Sequence, residues 1–358
     1  MSYGLSSATV QHRAYRMSTV TLGTSGLKVS KVILGCAVYG SPDWYNWVQD
    51  EEESIKQIKA AYDAGINTFD TANAGLPFAS IYSNGQSEIV LGRAIKQENL
   101  PRGEIVVMTK VFHPVSRDVK ERLDGKAVEY ADAHRYVNQY GLSRKHIFDS
   151  IKKSLERLQL DYIDVLHCQE YDTITPIHET MKALHDVVQA GWVRYIGMSN
   201  CRAWQFHVMQ NYAVANNLTP FISMQNDYNI LYREDEHEML PTLKYFGIGS
   251  IPWTSLARGA LVMTLEEQLA LPFDGRQLTI PSSTDIVKRV EEIALQKNIS
   301  MTQVAIAWSI GRKCVSALVI NAPATEQLLD AIGGIDVVLT AEEMQYLEEP
   351  YLPQMLRH

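Results

Sequence analysis

Asp161-Tyr-Ile-Asp-Val-Leu-His-Cys-Gln-Glu-Tyr-Asp-Thr-Ile-Thr-Pro-Ile-His-Glu-Thr-Met-Lys-Ala-Leu-His-Asp-Val-Val-Gln-Ala-Gly-Trp-Val-Arg-Tyr-Ile-Gly-Met-Ser-Asn200 reads as one strand–helix–strand unit. Tyr162–Gln169 and Val193–Asn200 are short runs rich in β-branched and apolar residues. Between them Pro176–Ala190 has the longer amphipathic pattern of a helix, stopped by Gly191. Two strands joined through a helix lie parallel in one sheet.

The same unit recurs in both directions. Further strand candidates are Val29–Ala37, Ile66–Ala72, Ile105–Val111, Phe221–Tyr228, Gly247–Ser255 and Val315–Ala322. Helical patterns lie between them at Glu51–Ala64, Ser87–Gln97, Arg144–Leu158, Arg202–Asn216 and Arg233–Phe246, with two more inside Thr284–Gly311. Eight such strands predict closure into an α/β barrel of the (β/α)8 TIM type. Two connections are long, His113–Gly141 and Leu256–Ser283. Both follow a strand, so both emerge at the C-terminal mouth, where barrels of this kind place chemistry.

A chain of 358 residues, 46% of them hydrophobic, can bury one large core. Residues 1–16 are polar and lack the apolar stretch of a signal peptide, so they read as a flexible extension. Residues 17–358 read as a single barrel domain. The net charge of −8 without a basic tract argues against nucleic acid or an anionic membrane as main partner. No apolar stretch approaches the roughly 20 residues of a membrane span. Cys36, Cys168, Cys201 and Cys314 form no Cys-x-x-Cys pair. They fit buried free thiols in a reducing cytoplasm rather than metal ligands. The oligomeric state is not readable.

Several segments resemble the aldo-keto reductases: Leu22-Gly-Thr-Ser-Gly-Leu-Lys-Val29, Asn67-Thr-Phe-Asp-Thr-Ala-Asn73, Tyr82-Ser-Asn-Gly-Gln-Ser-Glu88, Met108-Thr-Lys110, Asp161-Tyr-Ile-Asp164, Ile196-Gly-Met-Ser-Asn200, Gln225-Asn-Asp-Tyr228 and Ser255-Leu-Ala-Arg-Gly259. They occur in the family's order along nearly the whole chain. Within that family the chain looks most like the fungal aryl-alcohol dehydrogenase and versiconal-type reductases. The resemblance implies an N-terminal hairpin closing the bottom of the barrel and hydride transfer from NADPH to the carbonyl of a small molecule. It implies Tyr82 as proton donor, with Lys110 and Asp70 tuning it. An unperturbed phenol titrates near pH 10, so a neighbouring cation must favour the phenolate.

The resemblance also implies a dinucleotide site. Ser199, Asn200 and Gln225 match positions that hold the nicotinamide amide, and Cys36 matches a position beside the cofactor. Trp253, Thr254, Ser255, Leu256, Arg258 and Gly259 match the turn around the pyrophosphate. Asn321 and Gln327 fall at the adenosine end.

Four features depart from the family pattern. Ala74–Ser80 intervenes before Tyr82, and removing it restores the usual spacing; the insert bulges outward, displaces Tyr82 or reflects a mis-spliced gene model. The histidine usual at the end of the fourth barrel strand is replaced by Gln169. A side chain of that type donates a hydrogen bond but does not titrate. His167 lies on the same side of that strand, about 6.6 Å away and one layer deeper; it reads either as a satisfied core histidine or as a displaced catalytic one. The loop Asn321-Ala-Pro-Ala-Thr325 carries no lysine or arginine for a 2′-phosphate, so NADP binding is expected to be weakened and NAD becomes possible. The basic clamp after the seventh barrel strand is replaced by Ile280-Pro281, with Arg276 as a substitute.

The sequence therefore favours an NADP(H)-dependent oxidoreductase acting on an aromatic or polyketide-like carbonyl compound, in secondary metabolism. Two alternatives stand beside it: a non-redox isomerase, dehydratase or cyclase using Asp70, Tyr82 and Lys110 as acid and base, and a catalytically quiet cofactor-binding subunit. Trp44, Trp47, Phe112, Trp204 and Tyr228 are candidates to meet a flat apolar ligand at the mouth, or else core and surface aromatics.

Overall fold

The computed structural model describes residues 18–42, 48–74, 84–118, 131–270 and 281–357. The extension 1–16 and the insert from Gly75 onward lie outside them. An antiparallel hairpin comes first, β1 (Thr19–Thr21) with β2 (Lys28–Ser30). Eight parallel strands follow: β3 (Val32–Gly35), β4 (Thr68–Asp70), β5 (Val106–Val111), β6 (Ile163–Cys168), β7 (Val193–Ser199), β8 (Phe221–Gln225), β9 (Gly249–Ser250) and β10 (Leu318–Ile320). Each pairs with its predecessor from β4 to β9, and β10 pairs with β3. The ring closes where Ser316 N–H donates to Ser250 O at 2.8 Å and Val319 N–H to Pro252 O at 3.0 Å. The expected (β/α)8 barrel is therefore present.

The strands fall where the β-branched runs predict them but are shorter. Gly247–Ser255 shrinks to two residues because Pro252 has no N–H to donate and Thr254 turns into the left-handed region, φ +59°.

Helices separate the strands as expected: α1 (Glu51–Asp63), α2 (Gln86–Gln97), α3 (Arg144–Leu158), α4 (Ile177–Gln189), α5 (Ala203–Ala215), α6 (Met239–Phe246), α7 (Leu265–Ala270), α8 (Pro281–Lys297) and α9 (Met301–Gly311). Two more follow β10, α10 (Thr325–Gly333) and α11 (Ala341–Glu348). The pattern read as one helix over Arg233–Phe246 divides into a short turn at Glu234–Glu236 and α6. Pro241 is the reason: proline is tolerated in a helix's first turn but breaks an interior. The short α7 lies inside the long connection after β9.

Inside the ring, strand alternation builds an apolar floor and a polar top. Ile33, Val106, Met108, Val165, Ile251, Ala317 and Val319 pack together, and Leu22 and Val29 of the hairpin seal them from below. The hairpin docks closely at Gly23, φ +59°, where a Cβ would lie 2.5 Å from Gly247 O. The outward residues Phe69, Val107, Leu166 and Cys168 pack in the larger core with the helices. Two residues above Met108 on β5 comes Lys110, and two above Val165 on β6 comes His167. The floor thus sets the height at which polar groups begin.

Candidate active site

Lys110 and Asp70 stand on neighbouring strands at the first polar layer. Lys110 Nζ donates to Asp70 Oδ2 at 2.5 Å and to the Thr71 carbonyl at 2.9 Å. The lysine side chain is 3% exposed and the aspartate 0%, so the pair is held out of water. Among the described residues, Asp70 Oδ1 has no hydrogen-bond partner. Cys36 follows β3 beside the pair, its N–H donating to Asp70 O at 2.7 Å and its side chain buried in the larger core. Burial pushes the Cys36 thiol well above the ordinary thiol range; the Asp70 charge adds to this and the Lys110 charge opposes it. Cys36 is thus a protonated wall residue.

The two candidates of β6 separate. His167 is fully buried, with Nε2 2.9 Å from Ser223 Oγ. The facing position on β7 is Gly197, where a Cβ would come within 2.4 Å of the imidazole. Glycine there makes room for the ring. Burial first, and then the Lys110 charge, hold the His167 pKa down at about 3, so the ring is neutral at neutral pH. Gln169 sits a layer higher. Its backbone oxygen accepts from Asn200 Nδ2 at 3.2 Å, while its side-chain Oε1, also buried, has no partner.

The dinucleotide candidates converge on the opposite side of the mouth. Ser199 Oγ donates to Gln225 O at 2.6 Å, and Trp253 Nε1 donates to Asn200 Oδ1 at 3.0 Å. Asn200 thereby braces β6 against the Trp253–Gly259 turn. Gln225 Nε2, Ser255 Oγ and Asn321 Oδ1 are buried without a partner among the described residues. The turn itself is contorted: Thr254, Ala257, Arg258 and Gly259 all have positive φ. Arg258 is exposed, and Leu256 packs partly buried against the core. At the adenosine end, Gln327 and Glu326 are exposed beside the α10 N-terminus, whose cap residue Ala324 offers no side-chain bond. Asp330 is turned away, bonding Ser300 Oγ at 2.6 Å and Gln303 Nε2 at 2.8 Å. Its charge is committed to α9.

Tyr82, Arg276, Trp44 and Trp47 lie outside the described residues. The C-terminal flank of the Tyr82 segment is anchored. Asn84 Oδ1 accepts from Ser116 N–H at 2.6 Å. Four residues on, the fully buried Glu88 accepts from Thr109 Oγ1 and from Arg157 Nε, each at 2.6 Å. The sequence reading gave Glu88 no role; it ties α2 to β5 and α3. Among the aromatic candidates, Phe112 is buried edge-on to Tyr140, with centroids 4.9 Å apart. Trp204 is exposed and meets Tyr171 at 5.8 Å. Tyr228 is a core residue, its hydroxyl donating to Glu236 at 2.7 Å and its ring against Trp308; it is not placed to meet a ligand.

Burying an unpaired polar atom costs about 1–3 kcal/mol, so such atoms are few in folded proteins. Among the described residues twelve such side-chain atoms occur, and five of them, Asp70 Oδ1, Gln169 Oε1, Gln225 Nε2, Ser255 Oγ and Asn321 Oδ1, lie at or just past the upper ends of five barrel strands. Such a ring is built to meet a polar ligand descending into the mouth. It offers one donor suited to an amide oxygen, Gln225 Nε2, and a charged Lys110 able to bias a neighbouring hydroxyl. These residues fit the nicotinamide end of a dinucleotide, and the exposed acidic adenosine end fits a 2′-phosphate poorly.

A family model described as the aldo/keto reductase family matches residues 31–351. The chain is 44% identical over 351 residues to a Schizosaccharomyces pombe protein named as an aryl-alcohol dehydrogenase, covering 93% of this chain and 95% of that one. It is 43% identical over 348 residues to the versiconal hemiacetal acetate reductase of Aspergillus parasiticus, covering 95% and 98%. An aldo-keto reductase of Alternaria alternata is 42% identical over 360 residues, covering 96% and 94%.

Proposed function

The chain belongs to the aldo/keto reductase family and is an oxidoreductase of that kind, and from this premise we propose that it uses NADP(H) to reduce a carbonyl of an aromatic or polyketide-like small molecule, in the cytoplasm and in secondary metabolism. The observation that carries the reading is the buried Lys110–Asp70 pair beneath a mouth of unpartnered polar atoms. A fully paired structural ion pair would have no need of such a mouth above it.

In this reading Tyr82 protonates the nascent alkoxide. The Lys110 ammonium favours the phenolate left behind, and Asp70 holds that ammonium in place. Gln169 orients the carbonyl as a neutral donor through Nε2. Ser199, Asn200 and Gln225 would hold the nicotinamide amide, with the Trp253–Gly259 turn and Arg276 along the phosphates and Asn321 and Gln327 at the far end. The cofactor, when bound, supplies the hydride. No lysine or arginine occurs between Asn321 and Asp330, so the 2′-phosphate is gripped weakly and NADH is accepted as well.

The substrate class is supported by the names of two relatives, the aryl-alcohol dehydrogenase and the versiconal hemiacetal acetate reductase, and by Phe112 and the Tyr171–Trp204 pair near the upper ends of β5, β6 and β7. The test is a fluorescence titration with NADPH and NADH, followed by cofactor oxidation on aryl aldehydes. Absence of binding by either dinucleotide overturns the reading.

A further inference from the structure

Asp227 follows β8 and is 1% exposed, yet it carries a carboxylate. A buried charge needs a partner. Its Oδ2 accepts from Arg357 Nη1 at 2.7 Å, and that arginine stands 130 residues further along the chain. Its Oδ1 accepts from the Thr254 hydroxyl and from Asn229 Nδ2 at 3.3 Å.

Thr254 opens the contorted Trp253–Gly259 turn. A β-branched residue at φ +59° is rare and has to be held by its surroundings. Asp227 supplies that hold, and Arg357 in turn fixes Asp227. The arginine is itself well located. Its N–H donates to Tyr232 Oη at 2.9 Å and its guanidinium lies 4.1 Å from that ring. The segment before it is pinned as well: Tyr351 Oη and Gln354 N–H both donate to Glu234 Oε1, at 2.6 and 2.7 Å.

We propose that Arg357 is a positioning residue of the dinucleotide site, acting through Asp227 and Thr254 on the shape of the Trp253–Gly259 turn. The inference rests on the cofactor reading above. Without the guanidinium, Asp227 is left as an unpaired buried charge. It relieves this by turning toward water, and that movement releases the Thr254 hydroxyl. The turn faces the pyrophosphate, which NADPH and NADH share, so both cofactors are affected alike.

The experiment compares wild type, R357M, R357K and R357M/D227N. Dissociation constants for NADPH and NADH are measured by fluorescence, and turnover and amide exchange in parallel. R357M is expected to weaken both cofactors by about tenfold, the scale of one charged hydrogen bond, with kcat within about twofold. R357K is expected to recover much of the loss. D227N removes the stranded charge and keeps an acceptor for Thr254, so the double variant binds more tightly than R357M. In the cofactor-free protein the amides of 254–261 exchange faster in R357M while those of β5 and β6 do not. Equal affinity in R357M and wild type overturns the proposal alone. So does weakened binding without rescue by D227N, which marks a general loss of structure. A wild-type protein that binds neither dinucleotide removes the underlying reading and the proposal with it.

Discussion

Lys110 Nζ lies 2.5 Å from Asp70 Oδ2, with both side chains out of water and the second carboxylate oxygen unpartnered among the described residues. Removing one member of such a pair strands the other, which costs about 3–5 kcal/mol. Lys110→Met is therefore expected to lower unfolding stability on that scale and turnover by about a hundredfold or more. Asp70→Asn keeps an acceptor and is expected to be milder in both. Tyr82→Phe separates chemistry from structure: turnover falls by about a hundredfold or more, with melting temperature and cofactor affinity unchanged. Wild-type turnover in that variant removes Tyr82 from the mechanism and means the Ala74–Ser80 insert has displaced it.

The loop after β10, the proposed adenosine end, carries exposed Glu326 and Gln327 and no lysine or arginine between Asn321 and Asp330. One charged hydrogen bond to a phosphate is worth about 1.5–3 kcal/mol. The ratio of NADH to NADPH dissociation constants is therefore expected to stay below about tenfold. A much larger preference for NADPH in direct titration contradicts this, and its loss in Arg276→Ala would identify Arg276 as the clamp.

The barrel was legible because its signals are local. Each β-branched run, amphipathic helix and glycine stop, such as Gly191 at φ +76°, acts within a few residues. The α11 helix carried a readable signal that the sequence reading did not use, the capping box Thr340-Ala-Glu-Glu343. The Lys110–Asp70 pair was legible through strand ends and family motifs. The roles of Glu88, Gly197 and Arg357 were not. Glu88 meets Arg157 across 69 positions, Gly197 makes room for an imidazole on the next strand, and Arg357 meets Asp227 across 130. No periodicity encodes a contact of that separation.

His167 is buried against Ser223 with its pKa held down at about 3, first by burial and then by Lys110. In the unfolded chain it titrates near 6.5. Its folded pKa is depressed, so its contribution to stability is complete above about pH 6.5 and is lost as pH falls toward 3. Within that window one extra proton binds the unfolded state, a slope of about 1.4 kcal/mol per pH unit. His146, lowered to about 4 by burial, has the same sign, and Asp235, raised to about 7 by burial, has the opposite one. Both are present in wild type and variant. Urea unfolding between pH 4.5 and 6, bounds set roughly inside the window, is expected to be less pH-dependent in His167→Met by that slope, with turnover little changed. If the variant loses turnover while its fold and cofactor binding persist, His167 is the working histidine of β6.

Gln169 occupies the layer above, and its place decides what kind of reduction the site favours. Its backbone is locked by Asn200, while its side-chain oxygen is a buried, unmatched acceptor among the described residues; the amide is neutral, and its Nε2 is the atom able to donate to a carbonyl. A histidine there would add a charge near neutral pH and assist protonation of a carbonyl. Gln169→His is expected to raise turnover of simple aryl aldehydes and to add an ionisation at about pH 6–7 to the profile of kcat/KM. The gain depends on Lys110 and Tyr82, so it is expected to vanish in the Tyr82→Phe background. Should Gln169→His leave aldehyde reduction negligible while cofactor affinity is intact, the site is not a slowed carbonyl reductase. Asp70, Lys110 and Tyr82 would then be serving acid–base chemistry on a different functional group.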